Sequence, residues 1–282
     1  MSWMHIASKD FSDAGRSMML WALTVLLVLL VAGVSAIPYL LAEGTTPTFA
    51  EALYFLFTPI ALLIPIIGLV VGYQAIVSER ESGSIRFLLG LPNTRRDVIL
   101  GKVIGRAGVV AVPTLIGFLV GAVVIGALYD GFVVADYLGL LVFSLVMGLV
   151  YVSVAVGISA SVSSRAKALA GVLVFFVLFD FLWEFVLMGT YWVLEGSLPG
   201  FDGLPVWYLF VLRLSPGQAL TAIALTLIEI VGAEGLDFTA AGRVAGDVPF
   251  YLENWFAWII VALWIIVPVS VGYLRFKNAI LS

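Results

Sequence analysis

From Val77 to Lys102 the chain reads Val-Ser-Glu-Arg-Glu-Ser-Gly-Ser-Ile-Arg-Phe-Leu-Leu-Gly-Leu-Pro-Asn-Thr-Arg-Arg-Asp-Val-Ile-Leu-Gly-Lys. Six of the fourteen Lys and Arg residues lie between Arg80 and Arg106, with long apolar runs on both sides. A charged segment between two membrane spans serves as a topology anchor, as a docking surface for a soluble partner, or as both. The rest of the chain establishes that the flanking runs are spans. The sequence is 62% hydrophobic and 11% charged, with a mean hydropathy of +1.15. Soluble domains carry about 25% charged residues, so a chain this poor in charge cannot cover a water-facing surface.

Six runs are long enough to cross a bilayer, which takes about 20 apolar residues in a helix. They are residues 19–41, 55–77, 107–129, 137–162, 168–194 and 255–274. Transmembrane β-strands alternate and are much shorter, so the expected fold is an all-α integral membrane protein of one transmembrane domain, 1–282. The first apolar run is too long for the core of a cleaved signal, and Asp10 and Asp13 interrupt the basic residues before it, so the N-terminus is expected to be retained. Twelve Lys and Arg fall on one side of this arrangement, and only Arg213 and Arg243 on the other. Because basic residues stay inside, both termini are expected in the cytoplasm of a multi-pass protein of the cell membrane. Eleven of the eighteen carboxylates lie in the outer connections, either as ordinary loop solvation or as adaptation to a salty exterior.

Three further pieces do not span. The first eighteen residues mix Trp3, Ile6 and Phe11 with Lys9, Asp10, Asp13 and Arg16, the pattern of a short amphipathic helix lying at the interface. In the segment 78–102, Gly83 permits a sharp bend, Ser84 is placed to cap a short helix over 85–89, and Pro92 ends it. Thr94, with Asp97 three residues on, then starts the next long helix. The short helix would carry Ile85, Leu88 and Leu89 on one side, suited to seating in a groove of a soluble protein. In the outer region 195–254, Ser215-Pro216 is a helix start. The helix running from it toward Gly232 is too short for a full span, so it reads as re-entrant or interfacial.

The order Glu79-Arg80-Glu81-x-Gly83-Ser84-Ile85-x-x-Leu88-Leu89-x-x-Pro92-x-x-Arg95, followed by Gly101-Lys102, resembles the membrane subunit of ABC-2 class ATP-binding cassette transporters. Six spans, the interfacial helix, the long outer region and Ser215-Pro216 extend the resemblance over nearly the whole chain. It implies that the segment between spans two and three is a coupling helix contacting an ATPase subunit, with Glu79, Arg80, Glu81, Gly83, Ser84, Leu88, Pro92 and Arg95 as its residues. It also implies a working unit of two permease copies and two ATPases, and a permease subunit that acts in export. The chain has no G-x-x-x-x-G-K-[ST] loop, since Gly101-Lys102 is followed by Val103 and preceded by Arg96 where the first Gly belongs. ATP is therefore expected on the partner subunit, and neither a cofactor nor catalysis by this chain is expected.

Asp180 and Glu184 are the only carboxylates inside a span. Asp180 is about 18 Å from the inner edge of its run, near the midplane. Each acid costs about 2.5–3.5 kcal/mol at the centre of a lipid-facing helix, so neither is expected to face lipid. They read either as the lining of a water-filled cargo path or as a hydrogen-bonded pair that fixes the fold, with Arg213 a possible partner. No metal is expected: the chain has no Cys, its one His lies in the N-terminal tail, and no nucleic-acid stripe is present. Permeases linked to copper-enzyme maturation share this build, but the side chains give no support for copper contact. Two other readings remain at this point: a membrane scaffold or maturation factor anchoring a cytoplasmic protein, and an ATP-independent carrier using Asp180. The cargo cannot be read from apolar spans.

Overall fold

The computed structural model describes residues 3–15, 18–42, 47–84, 94–201, 203–229 and 243–278. Apart from a 3-10 turn at Phe250–Leu252, these form nine α-helices or helix assemblies and no strand. They are α1 (Trp3–Gly15), α2 (Met18–Leu41), α3 (Phe49–Glu81), α4 (Arg95–Leu128), α5 (Val134–Ser161), α6 (Arg165–Glu195), α7 (Val206–Arg213), α8 (Pro216–Leu227) and α9 (Phe256–Lys277). Six of them, α2 to α6 and α9, are long and apolar enough to cross a membrane. α4 begins at Arg95 rather than at the apolar run near Ala107, so its first three turns carry Lys102 and Arg106. The chain divides into two units, Met1–Val172 with Ile265–Ser282, and Leu173–Trp264.

In the first unit α5 is the central helix. Tyr151 and Phe143 on it are among the largest fully buried side chains. Lipid tails are as apolar as Leu, so spans associate by close packing rather than by expulsion from water, and small residues set the contacts. A methyl group on Gly68 or Gly72 of α3 would come within 2.9 Å of Tyr151 Cβ or 2.6 Å of Ala155 Cβ on α5. Gly117 and Gly121 of α4 meet Leu27 and Val31 of α2 in the same way. Gly157 of α5 faces the Pro268 carbonyl, and Gly272 lies 2.8 Å from the Gly157 oxygen on the same terms. α1 lies along α4 over Gly101 and Gly105, where a methyl would stand 2.7 Å from Ile6 Cβ and 3.0 Å from Asp10 Cβ.

Backbone groups freed by helix irregularities find side-chain partners. Pro38 lies inside α2. Just beyond it, the Tyr129 hydroxyl donates to the Ser35 carbonyl at 2.5 Å and accepts from Tyr39 N at 3.2 Å. It thus stands between the two groups that a regular turn would join directly. α3 is interrupted by a turn at residues 73–76. There Ser159 Oγ of α5 accepts from Ile76 N and Val77 N at 3.1 and 3.0 Å, so two donors exposed by the break remain satisfied.

In the second unit, α7 and α8 meet at 97°. The sequence reading expects a single helix here, starting at Ser215. The structure adds α7 in front of it, and α8 is 12 residues long; residues 230–242 lie outside the described ones. Leu187, Leu204, Tyr208, Leu209, Leu212 and Leu252 form the unit's apolar centre. One short backbone pairing closes it, with Leu204 N donating to Arg243 O at 2.8 Å and Ala245 N to Leu204 O at 2.9 Å.

Candidate functional site

The charged end of α3 is bonded in several directions. Glu79 Oε1 lies 2.6 Å from Lys102 Nζ of α4, which is 2.7 Å from Asp10 Oδ1 of α1. Asp10 Oδ2 in turn pairs with Arg106 Nε at 2.8 Å. Two acids and two bases thus form one network, and the Lys102 and Asp10 side chains are only 7% and 5% exposed. The amphipathic pattern of α1 places Asp10 on the solvated face, but the structure turns it inward onto α4. The signal for this was the pair Gly101 and Gly105, i and i+4 on α4, which open the seat that Asp10 enters.

The remaining residues of the expected coupling set are placed as follows. Arg80 Nη1 donates to the Val162 carbonyl just beyond α5, at 2.6 Å. Glu81 Oε2 pairs with Arg165 Nε at 3.0 Å, and Oε1 accepts from Arg165 N at 2.7 Å. A carboxylate thereby sits at the N-terminus of α6, where backbone donors are unpaired and the helix dipole favours negative charge. Gly83 has φ +74 with open space around it, the left-handed conformation that other residues resist. Ser84 Oγ is 2.9 Å from Ser82 Oγ and donates to Glu79 O at 3.4 Å. Thr94 and Asp97 form the expected capping box, with Thr94 N donating to Asp97 Oδ2 at 3.0 Å and Asp97 N to Thr94 Oγ1 at 3.1 Å. Arg95 Nη1 donates to the Phe276 and Lys277 carbonyls at the end of α9, and its guanidinium lies 5.3 Å from the centre of the Phe276 ring. Leu88, Pro92 and the expected short helix over 85–89 lie outside the described residues.

Asp180 and Glu184 sit on α6 in the second unit. Asp180 belongs to a π-helical stretch, Val177–Leu182, an irregularity frequent at functional sites. Both acids turn to the first turn of α8. Glu184 Oε1 accepts from Gln218 Nε2, and a methyl on Gly217 would stand 3.7 Å from Asp180 Oδ1. Ser215 caps that turn, its Oγ accepting from Gln218 N at 3.2 Å, and Pro216 fills the first position. The side-chain amide of Gln218 and the positive end of α8 therefore lie beside the two carboxylates. Arg213 points elsewhere: it donates to the Leu252 and Glu253 carbonyls and, at 3.2 Å, to Asn254 Oδ1. Trp183 Nε1, one turn from Asp180, donates to Val211 O and Leu212 O at 3.1 and 3.2 Å and ties α6 to the end of α7. A cavity of about 40 Å³ beside Gln218 and Arg213 has room for water.

A model of the ABC-2 family transporter proteins matches residues 4–281. The chain belongs to this family. It is 29% identical over 267 residues to a Pseudomonas aeruginosa protein described as "Probable ABC transporter permease protein NosY", covering 92% of each chain. It is also 34% identical over 131 residues to the protein of the same description from Stutzerimonas stutzeri, covering 45% of this chain and 46% of that one. This ABC-2 protein is thus a multi-pass permease subunit of an ATP-binding cassette transporter. As in its family, it has no ATPase activity of its own, works with a partnering ATPase subunit, and takes no cofactor.

Proposed function

We propose that this permease is an exporter that works as two copies with two ATPase subunits, keeps both termini in the cytoplasm, and receives the ATPase stroke on the segment from Glu79 to Arg95. The observation that carries this reading is the bonding at that corner. Glu79 reaches α4 and, through Lys102, α1; Arg80 reaches the end of α5; Glu81 reaches the start of α6; Arg95 reaches the end of α9. A displacement applied between Gly83 and Thr94 is then transmitted to the ends of five helices together. Gly83 is the flexible entry to the segment, and the ion pairs behind it are the rigid part. In the same reading Asp180 and Glu184 line the cargo path, and the segment 195–254 is its outer cover.

The test is purification of the permease in mild detergent from its own membrane, followed by native mass spectrometry. Two permease copies with two ATPases are expected, the ATPases being lost or uncoupled in Gly83→Val. Gly83 is chosen because no neighbour within 4 Å is disturbed, so insertion should be preserved. A well-folded permease that leaves its native membrane without any ATPase would favour the scaffold or the ATP-independent carrier. Uptake of cargo into inside-out vesicles on addition of ATP would establish export; release would reverse the direction.

A further inference from the structure

We propose that the groove between the first turns of α4 and the last turns of α9 binds an anionic phospholipid, with an acyl chain in the groove and the headgroup phosphate on Arg96. The groove has a volume of about 450 Å³, within the range of about 300–1,000 Å³ for sites that hold a small molecule. Its walls are Ile99, Leu100 and Val103 on one side and Ile266 and Val269 on the other. Ile266 is 58% exposed, so the apolar wall continues onto the surface that lipid tails cover. An acyl chain matches such a channel, since it enters from the bilayer and leaves no polar group in the dark.

The polar groups of the groove are Arg96, Ser270 and Tyr273. Arg96 is on the first turn of α4, one turn before Ile99 and Leu100, and it is exposed. Among the described residues it forms no ion pair, unlike Lys102, Arg106 and Arg165. Its neighbour Asp97 has its carboxylate held by Thr94 N and Thr94 Oγ1. Arg95 is already committed to the end of α9. A cation beside an apolar slot, at the end of two membrane helices, matches an anionic headgroup above its own acyl chain. Basic pockets between transmembrane helices near the membrane surface take such headgroups. This end of α4 and α9 is cytoplasmic in the reading proposed above, on which the lipid assignment rests, since anionic headgroups are taken by basic pockets on that side.

The experiment uses the full chain with its ATPase partner, stripped of lipid in detergent and titrated with phosphatidylglycerol or with phosphatidylcholine of the same acyl chains. Bound lipid is counted by native mass spectrometry. Phosphatidylglycerol is expected to bind more tightly, and Arg96→Gln to weaken it about fivefold, the worth of one cation near an anionic surface, and to weaken phosphatidylcholine less, because its choline cation already offsets the phosphate that both lipids carry. Arg96→Lys should keep the preference. Val269→Trp, or Ser270→Trp if the first variant does not fold, fills the slot and should remove both lipids. Equal binding of the two lipids, unchanged binding with the slot filled, or release of phosphatidylglycerol by millimolar inorganic phosphate alone would overturn the proposal.

Discussion

Asp10 and Lys102 are nearly inaccessible to solvent, and burying one such charge alone would be prohibitive. They are tolerated because Glu79 and Arg106 complete a neutral set. Breaking a buried pair by removing one partner costs about 3–5 kcal/mol, since it leaves the other charge uncompensated. Lys102→Met is therefore expected to lower the melting temperature sharply. Adding Asp10→Asn to it should recover part of the loss, because the remaining Glu79 and Arg106 again balance. Additive losses in a thermal melt of the two singles and the double would show that the groups are not coupled. A second expectation separates backbone from bulk at Gly83. With nothing nearby to clash, Gly83→Val carries only the left-handed strain, about 1–2 kcal/mol, while Gly83→Asn carries less because Asn visits that region. If the bend is needed for coupling, transport-stimulated ATP hydrolysis by the reconstituted complex should fall in the order Gly, Asn, Val. Equal rates for all three would remove Gly83 from the coupling role. At this scale the sequence was legible for Gly83, Thr94 and Ser215, whose conformations are imposed by near neighbours. It was not legible for Asp10, whose contacts with Lys102 and Arg106 depend on how two helices distant in the sequence dock.

Helix-to-helix seating follows from small residues, and so does the next expectation. α1 rests on Gly101 and Gly105, where added methyls would meet Ile6 Cβ at 2.7 Å and the Ala7 carbonyl at 3.1 Å. Gly101→Leu should lift α1 off α4 and separate Asp10 from Lys102, at a cost of about 1–3 kcal/mol for overpacking. Protease sensitivity of residues 3–15 in the detergent-purified protein would report it; unchanged protection would mean that α1 is held elsewhere. Gly68 with Gly72 and Gly117 with Gly121 are spaced four apart within apolar runs and lie at helix contacts. Gly101 with Gly105 has the same spacing but sits among charged residues, where a packing motif is hard to distinguish from a loop. α7 was missed for a related reason. Its eight residues, Val206–Arg213, are too few to show a helical period, and its end is fixed from outside by Trp183 donating to Val211 and Leu212. The turn of Asp180 and Glu184 toward α8 needed the same long-range information, although the carboxylates themselves were plain in the run. Glu184→Gln keeps an acceptor for Gln218, whereas Glu184→Ala leaves none, so thermal stability should be retained in the first and reduced by about 0.5–1.5 kcal/mol, the net worth of one hydrogen bond, in the second. If transport is lost in Glu184→Gln while stability is kept, the charge itself serves the path.

Across the whole molecule the balance of charge and span count allows a sharp test, because the bent pair α7 and α8 can be counted either as a non-spanning excursion or as a seventh crossing. Six crossings put Arg275 and Lys277 on the same side as Lys9, Lys167 and the basic segment between α3 and α4. Seven would leave Arg213 inside the bent crossing, bring Arg243 to the inner side and put Arg275 and Lys277 outside, against the tendency of basic residues to remain inside. The chain contains no cysteine, so single replacements can be read without background. Ser163 between α5 and α6, Ser197 beyond α6 and Asn278 beyond α9 are all exposed. With six spans and inner termini, a membrane-impermeant maleimide should label Ser197→Cys in intact cells, and Ser163→Cys and Asn278→Cys only after permeabilisation. Labelling of Asn278→Cys together with Ser197→Cys from outside would make α7 and α8 a true crossing and place the end of α9 on the outer face, incompatible with the bonds from Arg95 at the inner start of α4 to the Phe276 and Lys277 carbonyls.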